Sequence, residues 1–161
     1  MLGAFDLMRA VQIGNTTADA ARQGARQAVA AAVAADQPFG SSSGQPCSGT
    51  TSTSSATGTG CLTDSRIGAT VQGVLGSTVA SSTVSTAAPS ACPIPAQNTA
   101  SICIYPGQAA RSTEWTSLAQ QGSFMVSVTV VVRYQPLTPM VVGLLPSVFQ
   151  LRSTTSMVAE Y

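Results

Sequence analysis

The run Ala20-Ala21-Arg22-Gln23-Gly24-Ala25-Arg26-Gln27-Ala28-Val29 constrains the fold more than any other stretch of the chain. It is a helix with a sparse polar side and an opposite side that is nearly bare backbone. At about 100° per residue, Leu7, Ala10, Gly14, Thr17, Ala18, Ala21, Gly24, Ala25, Ala28 and Ala32 gather on one face. Gln12, Asn15, Asp19, Arg22 and Arg26 gather on another. A seam of small residues lets a second helix or a sheet approach closely, so this surface suits packing and not chemistry. The Ala-rich pattern extends it to one long helix from about Asp6 to Ala35, helped by Asp19 three residues before Arg22.

The 161 residues suffice for a single domain with a real core and show no repeat, so one domain over 1–161 is expected. Residues 36–62 are a Ser/Thr/Gly tract that cannot bury a core and reads as a surface loop, its 41–59 part a candidate O-glycan carrier. From Thr63-Asp64 the spacing of Ile67, Val71, Val74, Leu75 and Val79 predicts a second, shorter helix before Pro89. Gly68, Gly73 and Gly76 lie inside that pattern and read as close-packing positions, not a phosphate loop. Three strands are then expected. Ala100–Tyr105 places Ile102 and Ile104 on one face. Ser123–Tyr134 turns Phe124, Val126, Val128, Val130, Val132 and Tyr134 to a core, with Ser127, Thr129 and Arg133 on a partly wet side. A last strand carries Phe149, Leu151, Ser153, Thr155 and Met157 on one face. The expectation is an α+β domain, a small antiparallel sheet of about three strands wrapping the second half of the long helix.

Chemistry is scarce. Lysine and histidine are absent, and seven arginines face six acids, which excludes the usual general base, the Schiff-base lysine and the Ser-His-Asp triad. The carboxylates of Asp6, Asp19, Asp36, Asp64, Glu114 and Glu160 are scattered singly, so a paired-carboxylate site would need distant residues brought together. Glu114, beside Trp115, reads as a loop salt bridge with Arg111. No basic patch suggests nucleic acid. The Asn15-Thr16-Thr17 sequon falls inside the helix and is discounted. No catalytic residue, cofactor or metal is expected.

Cys47, Cys61, Cys92 and Cys103 form no CxxC pair, which argues against zinc. Two disulfides are expected, four reduced thiols being the alternative. Of three connectivities the sequence-local one, Cys47 with Cys61 and Cys92 with Cys103, is preferred, and it points to an oxidising compartment.

Gly3-Ala-Phe-Asp-Leu-Met-Arg9 followed by Asn15-Thr-Thr-Ala-Asp-Ala-Ala-Arg-Gln-Gly-Ala-Arg-Gln-Ala28 resembles the signature of TadE-like pilus proteins. In that family an apolar membrane helix ends near an acidic residue and runs into an Ala-Ala-Arg-x-Gly-Ala-Arg block. Val126–Val130 leading to Tyr134-Gln-Pro-Leu-Thr-Pro139, and Leu151 to Glu160, are similar to its C-terminal part. Together these regions span about half the chain; residues 36–120 carry no motif of the family.

The resemblance implies a minor pilin or pseudopilin of the tight-adherence class of type IV pili, not an enzyme. It would be made with a leader, anchored in the inner membrane by an apolar helix upstream of Asp6, and carried outside the cytoplasm into a pilus or cell-surface filament. Its partners would be other pilin subunits and pilus assembly proteins. The helix-packing residues would be Gly14, Ala18, Ala21, Arg22, Gly24, Ala25, Arg26 and Ala28. Two other readings are carried: a surface adhesin using the 36–62 loop and Trp115, and, more remotely, a secreted carboxylate-dependent hydrolase.

Overall fold

A computed structural model describes residues 2–34, 64–107, 123–135 and 149–160. Helix α1 runs Leu2–Ala34 and helix α2 Asp64–Leu75, followed by strands β1 (Ser81–Ser85), β2 (Thr99–Tyr105), β3 (Ser123–Tyr134) and β4 (Phe149–Glu160). The strands form one mixed sheet in the order β1-β2-β3-β4. Strand β1 pairs parallel to β2, and the other two pairings are antiparallel. Both helices lie on one face of the sheet, with α1 over β4 and β3 and α2 beside it toward β2 and β1.

The sheet therefore has four strands, not the three expected, and is not purely antiparallel. The missed strand, Ser-Ser-Thr-Val-Ser, has one large apolar residue and no alternation to reveal it. Its Val84 closes over Gly68 of α2, where an added Cβ would collide with the valine side chain. The second helix is also shorter than the apolar spacing suggests. Gly76 takes φ +53, a backbone state that costs other residues, and stops α2 at Leu75. Val79, the last apolar residue of that pattern, is buried from an extended segment leading into β1.

The core lies between the helices and the sheet. Ile67, Val71 and Leu75 of α2 meet Ala100, Ile102 and Ile104 of β2, alternate valines Val126, Val128, Val130 and Val132 of β3, and the small face of α1. Leu151 and Met157 of β4 join it half-buried. The long valine strand follows its period of two, and its second face is wet only toward its ends, at the exposed Met125 and the half-buried Arg133. In its middle Ser127, Thr129 and Val131 are all buried. Two features account for this. Ser127 and Thr129 pair hydroxyl to hydroxyl with Ser156 and Thr154 of β4, at 2.7 and 2.9 Å. The β1–β2 crossover lies on the outer face, where a Cys92–Cys103 disulfide joins it to β2 and packs, with Ala87, against Val131.

Candidate functional site

The buried strip of α1 is made of Asp6, Ile13, Thr17, Ala20, Ala21, Gly24, Ala25 and Ala28. These positions recur at helical spacing along one face, which begins at Asp6, about four turns before the second half of the helix. The sheet thus supports more than the second half of α1. At Gly24 the approach is closest: an added Cβ would stand 2.5 Å from Val71 Cγ2 and 3.2 Å from Val128 Cγ1. The seam residues Ala21, Gly24, Ala25 and Ala28 are thereby occupied by the chain's own second helix and sheet. Ala18 and Gly14 are half-buried, and a Cβ on Gly14 would meet nothing within 4 Å. Arg22 and Arg26 are exposed, Arg22 bonding Asp19 at 3.0 Å, an exposed pair worth little.

Leu7, placed on the seam by helical angle, is 68% exposed. It belongs instead to a second apolar surface with Phe5 at 70%, Met8 at 73% and Val11 at 56% exposure. These residues lie on the side of α1 turned away from the sheet. Further along that same outer side come Gln12, Asn15, Asp19, Arg22, Gln23 and Arg26, all exposed. The exterior of α1 thus changes from apolar to polar after about three turns. Among the described residues, no helix is long and apolar enough to cross a membrane.

Beneath the apolar exterior the inner side is polar. Asp6 is only 5% exposed and accepts a hydrogen bond from the Tyr134 hydroxyl, Oδ1 to Oη 3.4 Å. The Arg9 guanidinium lies 6.0 Å from the centre of the Tyr134 ring, a cation–π arrangement. Burial raises the Tyr134 phenol above its ordinary value, and the Asp6 charge raises it further against the opposing charge of Arg9. At neutral pH the phenol keeps its proton and remains a donor. The group pins the first turns of α1 to the end of β3, across 128 positions of sequence. In the sequence Asp6 is an isolated acid that the family resemblance sets at the outer end of a membrane helix, and neither reading pairs it with Tyr134. A tyrosine closing the apolar face of β3 and needing an acceptor was the one signal that could have found the pair.

Among the described residues the other acids, Asp19 and Asp64, do not join Asp6 in a cluster. Asp19 lies about 20 Å further along α1, thirteen residues at 1.5 Å each, and Asp64 begins α2. Among the described residues no group of three or more His, Cys, Asp or Glu could hold a metal ion. Cys92 and Cys103 are joined as expected. Cys47 and Cys61, the 36–62 loop, Arg111, Glu114 and Trp115 lie outside the described residues, as does the side chain of Glu160. Comparison of the chain with family models, curated proteins and solved structures gives no match.

Proposed function

We propose that this chain is a structural subunit of a tight-adherence, pilin-like surface filament, that it acts by helix packing, and that it catalyses no reaction. The observation that carries this reading is the divided exterior of α1. An exposed row of Phe5, Leu7, Met8 and Val11 on a helix whose inner face is already seated costs the isolated chain solvation, and it suits a neighbouring helix or a bilayer. The polar exterior from Gln12 onward marks where that apolar surrounding would end. The head, a sheet backed by α1 and α2 and stapled by Cys92–Cys103, would sit outside the cytoplasm, where the disulfide is stable. Together with the resemblance of the Asn15–Ala28 and Val126–Pro139 regions to TadE-like proteins, this supports a minor pilin or pseudopilin role.

The seam at Gly24 is unsuited to testing assembly, since it packs the chain's own head. Phe5→Ser/Met8→Ser is the better perturbation, because both side chains point away from the core. In the cell that makes the protein, the variant should accumulate with a folded head but fail to enter surface filaments. Unchanged incorporation of this variant, measured by its abundance in sheared filaments, would refute the reading.

A further inference from the structure

Strand β4 is the last strand of the sheet, and among the described residues nothing pairs with its outer edge. Its twelve residues run in uninterrupted register with β3, with no bulge. It contains no proline, and Arg152 is its one charged residue before the terminal Glu160. Long edges are normally blunted by proline, bulges or inward charges, and this one carries none of these devices. Its inward-facing residues Phe149, Leu151, Ser153, Thr155 and Met157 are also only half-buried, whereas those of β3 are closed. Among the described residues the core stops short at this edge.

From this we infer that β4 pairs antiparallel with β4 of a second copy of the chain, joining two four-stranded sheets into one of eight strands. A two-fold axis perpendicular to the sheet keeps each face on its own side, so every residue must stand opposite one of the same parity. Among such registers, centring on Arg152 sets the two arginines against each other. Centring on Thr155 sets Met157 against Ser153. Centring on Thr154 pairs nearly the whole strand, with Leu151 opposite Met157 and Ser153 opposite Thr155 on the inner face. On the outer face Arg152 then stands opposite Ser156 and Gln150 opposite the exposed Val158. Like thus meets like inside, and no like charges oppose.

The helix layer favours a second copy over an extended peptide. With strands about 4.8 Å apart and α1 lying over β3 and β4, the two α1 helices come to about 10 Å, the spacing of packed helices. A peptide would cover the strand and leave the flank of α1 bare. The inference uses only this edge and does not depend on the filament reading.

The test is the mass of the full chain in solution, with cysteine cross-linking to read the register. The chain should sediment as a dimer, and Thr154→Cys, on the axis, should form a dimer-sized disulfide product on mild oxidation. Gln150→Cys, eight positions from its own copy, should not. Thr154→Lys, exposed and on the axis, should weaken dimerisation about fivefold or more with an unchanged circular dichroism spectrum. A chain that stays monomeric at high micromolar concentration, or equal cross-linking at positions 154 and 150, overturns the inference.

Discussion

Gly24→Ala should destabilise the protein even though alanine is the better helix former. In an exposed helix interior the exchange gains about 1 kcal/mol. At position 24 the new methyl would stand 2.5 Å from Val71 Cγ2 and 3.2 Å from Val128 Cγ1, so roughly an ångström of separation must be found. Val71 is fully buried, and a β-branched residue in a helix has essentially one χ1 well, so its methyl cannot swing aside. Helix α1 or α2 must move, at the 1–3 kcal/mol typical of overpacking. The net expectation is a loss centred on about 1 kcal/mol and not above about 2, with a fall in Tm of roughly 3 °C. Gly14 supplies the internal comparison. A methyl there meets nothing within 4 Å, so Gly14→Ala should raise Tm by about 2–4 °C. Thermal unfolding followed at 222 nm, with the disulfide intact, measures both. In Gly24→Ala/Val71→Ala the clash is relieved, and the double variant should cost about 1 kcal/mol less than the sum of the singles. If Gly24→Ala melts at or above the unsubstituted protein, the close approach of α1 to α2 is not what holds the seam, and the reasoning fails.

Tyr134 should titrate above the ordinary tyrosine value in an alkaline absorbance titration, a shift that Tyr134→Phe should remove from the curve. Its phenol is raised in the folded state above the ordinary value of about 10, so the stability it supplies is complete below about pH 10 and is lost as pH climbs through the folded value. Tyr134→Phe should therefore flatten the alkaline loss of stability while costing about 1 kcal/mol at neutral pH, since its bond to Asp6 is long. Replacing Cys92 and Cys103 together by alanine should cost about 3 kcal/mol, the chain-entropy value for so short a loop, and should lower the denaturant midpoint accordingly. A loss below 1 kcal/mol would mean that the crossover is held on the outer face by packing with Val131 alone.

The elements whose register is carried by large apolar residues were legible in the chain. The valines of β3 recur at every second position, and the strand runs Ser123–Tyr134 as the alternation requires. Phe149, Leu151 and Met157 similarly face the core from β4. Strand β1 was not legible, because Ser81–Ser85 is held by the ladder of β2 and by its fit over Gly68, which are relations between distant segments. On α1 the helical angle placed the small seam but not its edge. Leu7 and Asp6 are adjacent in sequence, and apolarity alone assigns the inner position to Leu7. The structure gives it to Asp6, because Tyr134 presents a hydroxyl at that end of the sheet. A hydrogen bond between partners 128 residues apart leaves no periodic trace.

That exchange makes the first turns of α1 inverted relative to the rest. Beyond Gln12 the helix is small and apolar inside and polar outside, the ordinary arrangement for a helix on a sheet. Before it, Asp6 lies inside with Arg9 against the Tyr134 ring, and Phe5, Leu7, Met8 and Val11 face out. Stability of the isolated chain does not explain this segment. Exchanging inside for outside would bury Leu7 and hydrate the carboxylate. The arrangement becomes favourable once something apolar covers the exterior, because the side chains then most costly to expose lie outside and the charge is already sheltered and bonded within. The Asp6–Tyr134 bond keeps these turns seated on the sheet with their apolar side outward. On the proposal that the chain joins a filament, Tyr134→Phe should impair filament entry by more than its small stability loss accounts for, whereas the same loss introduced through Gly24→Ala should not. Equal effects of the two variants on filament entry would remove Asp6 from any role beyond holding the fold.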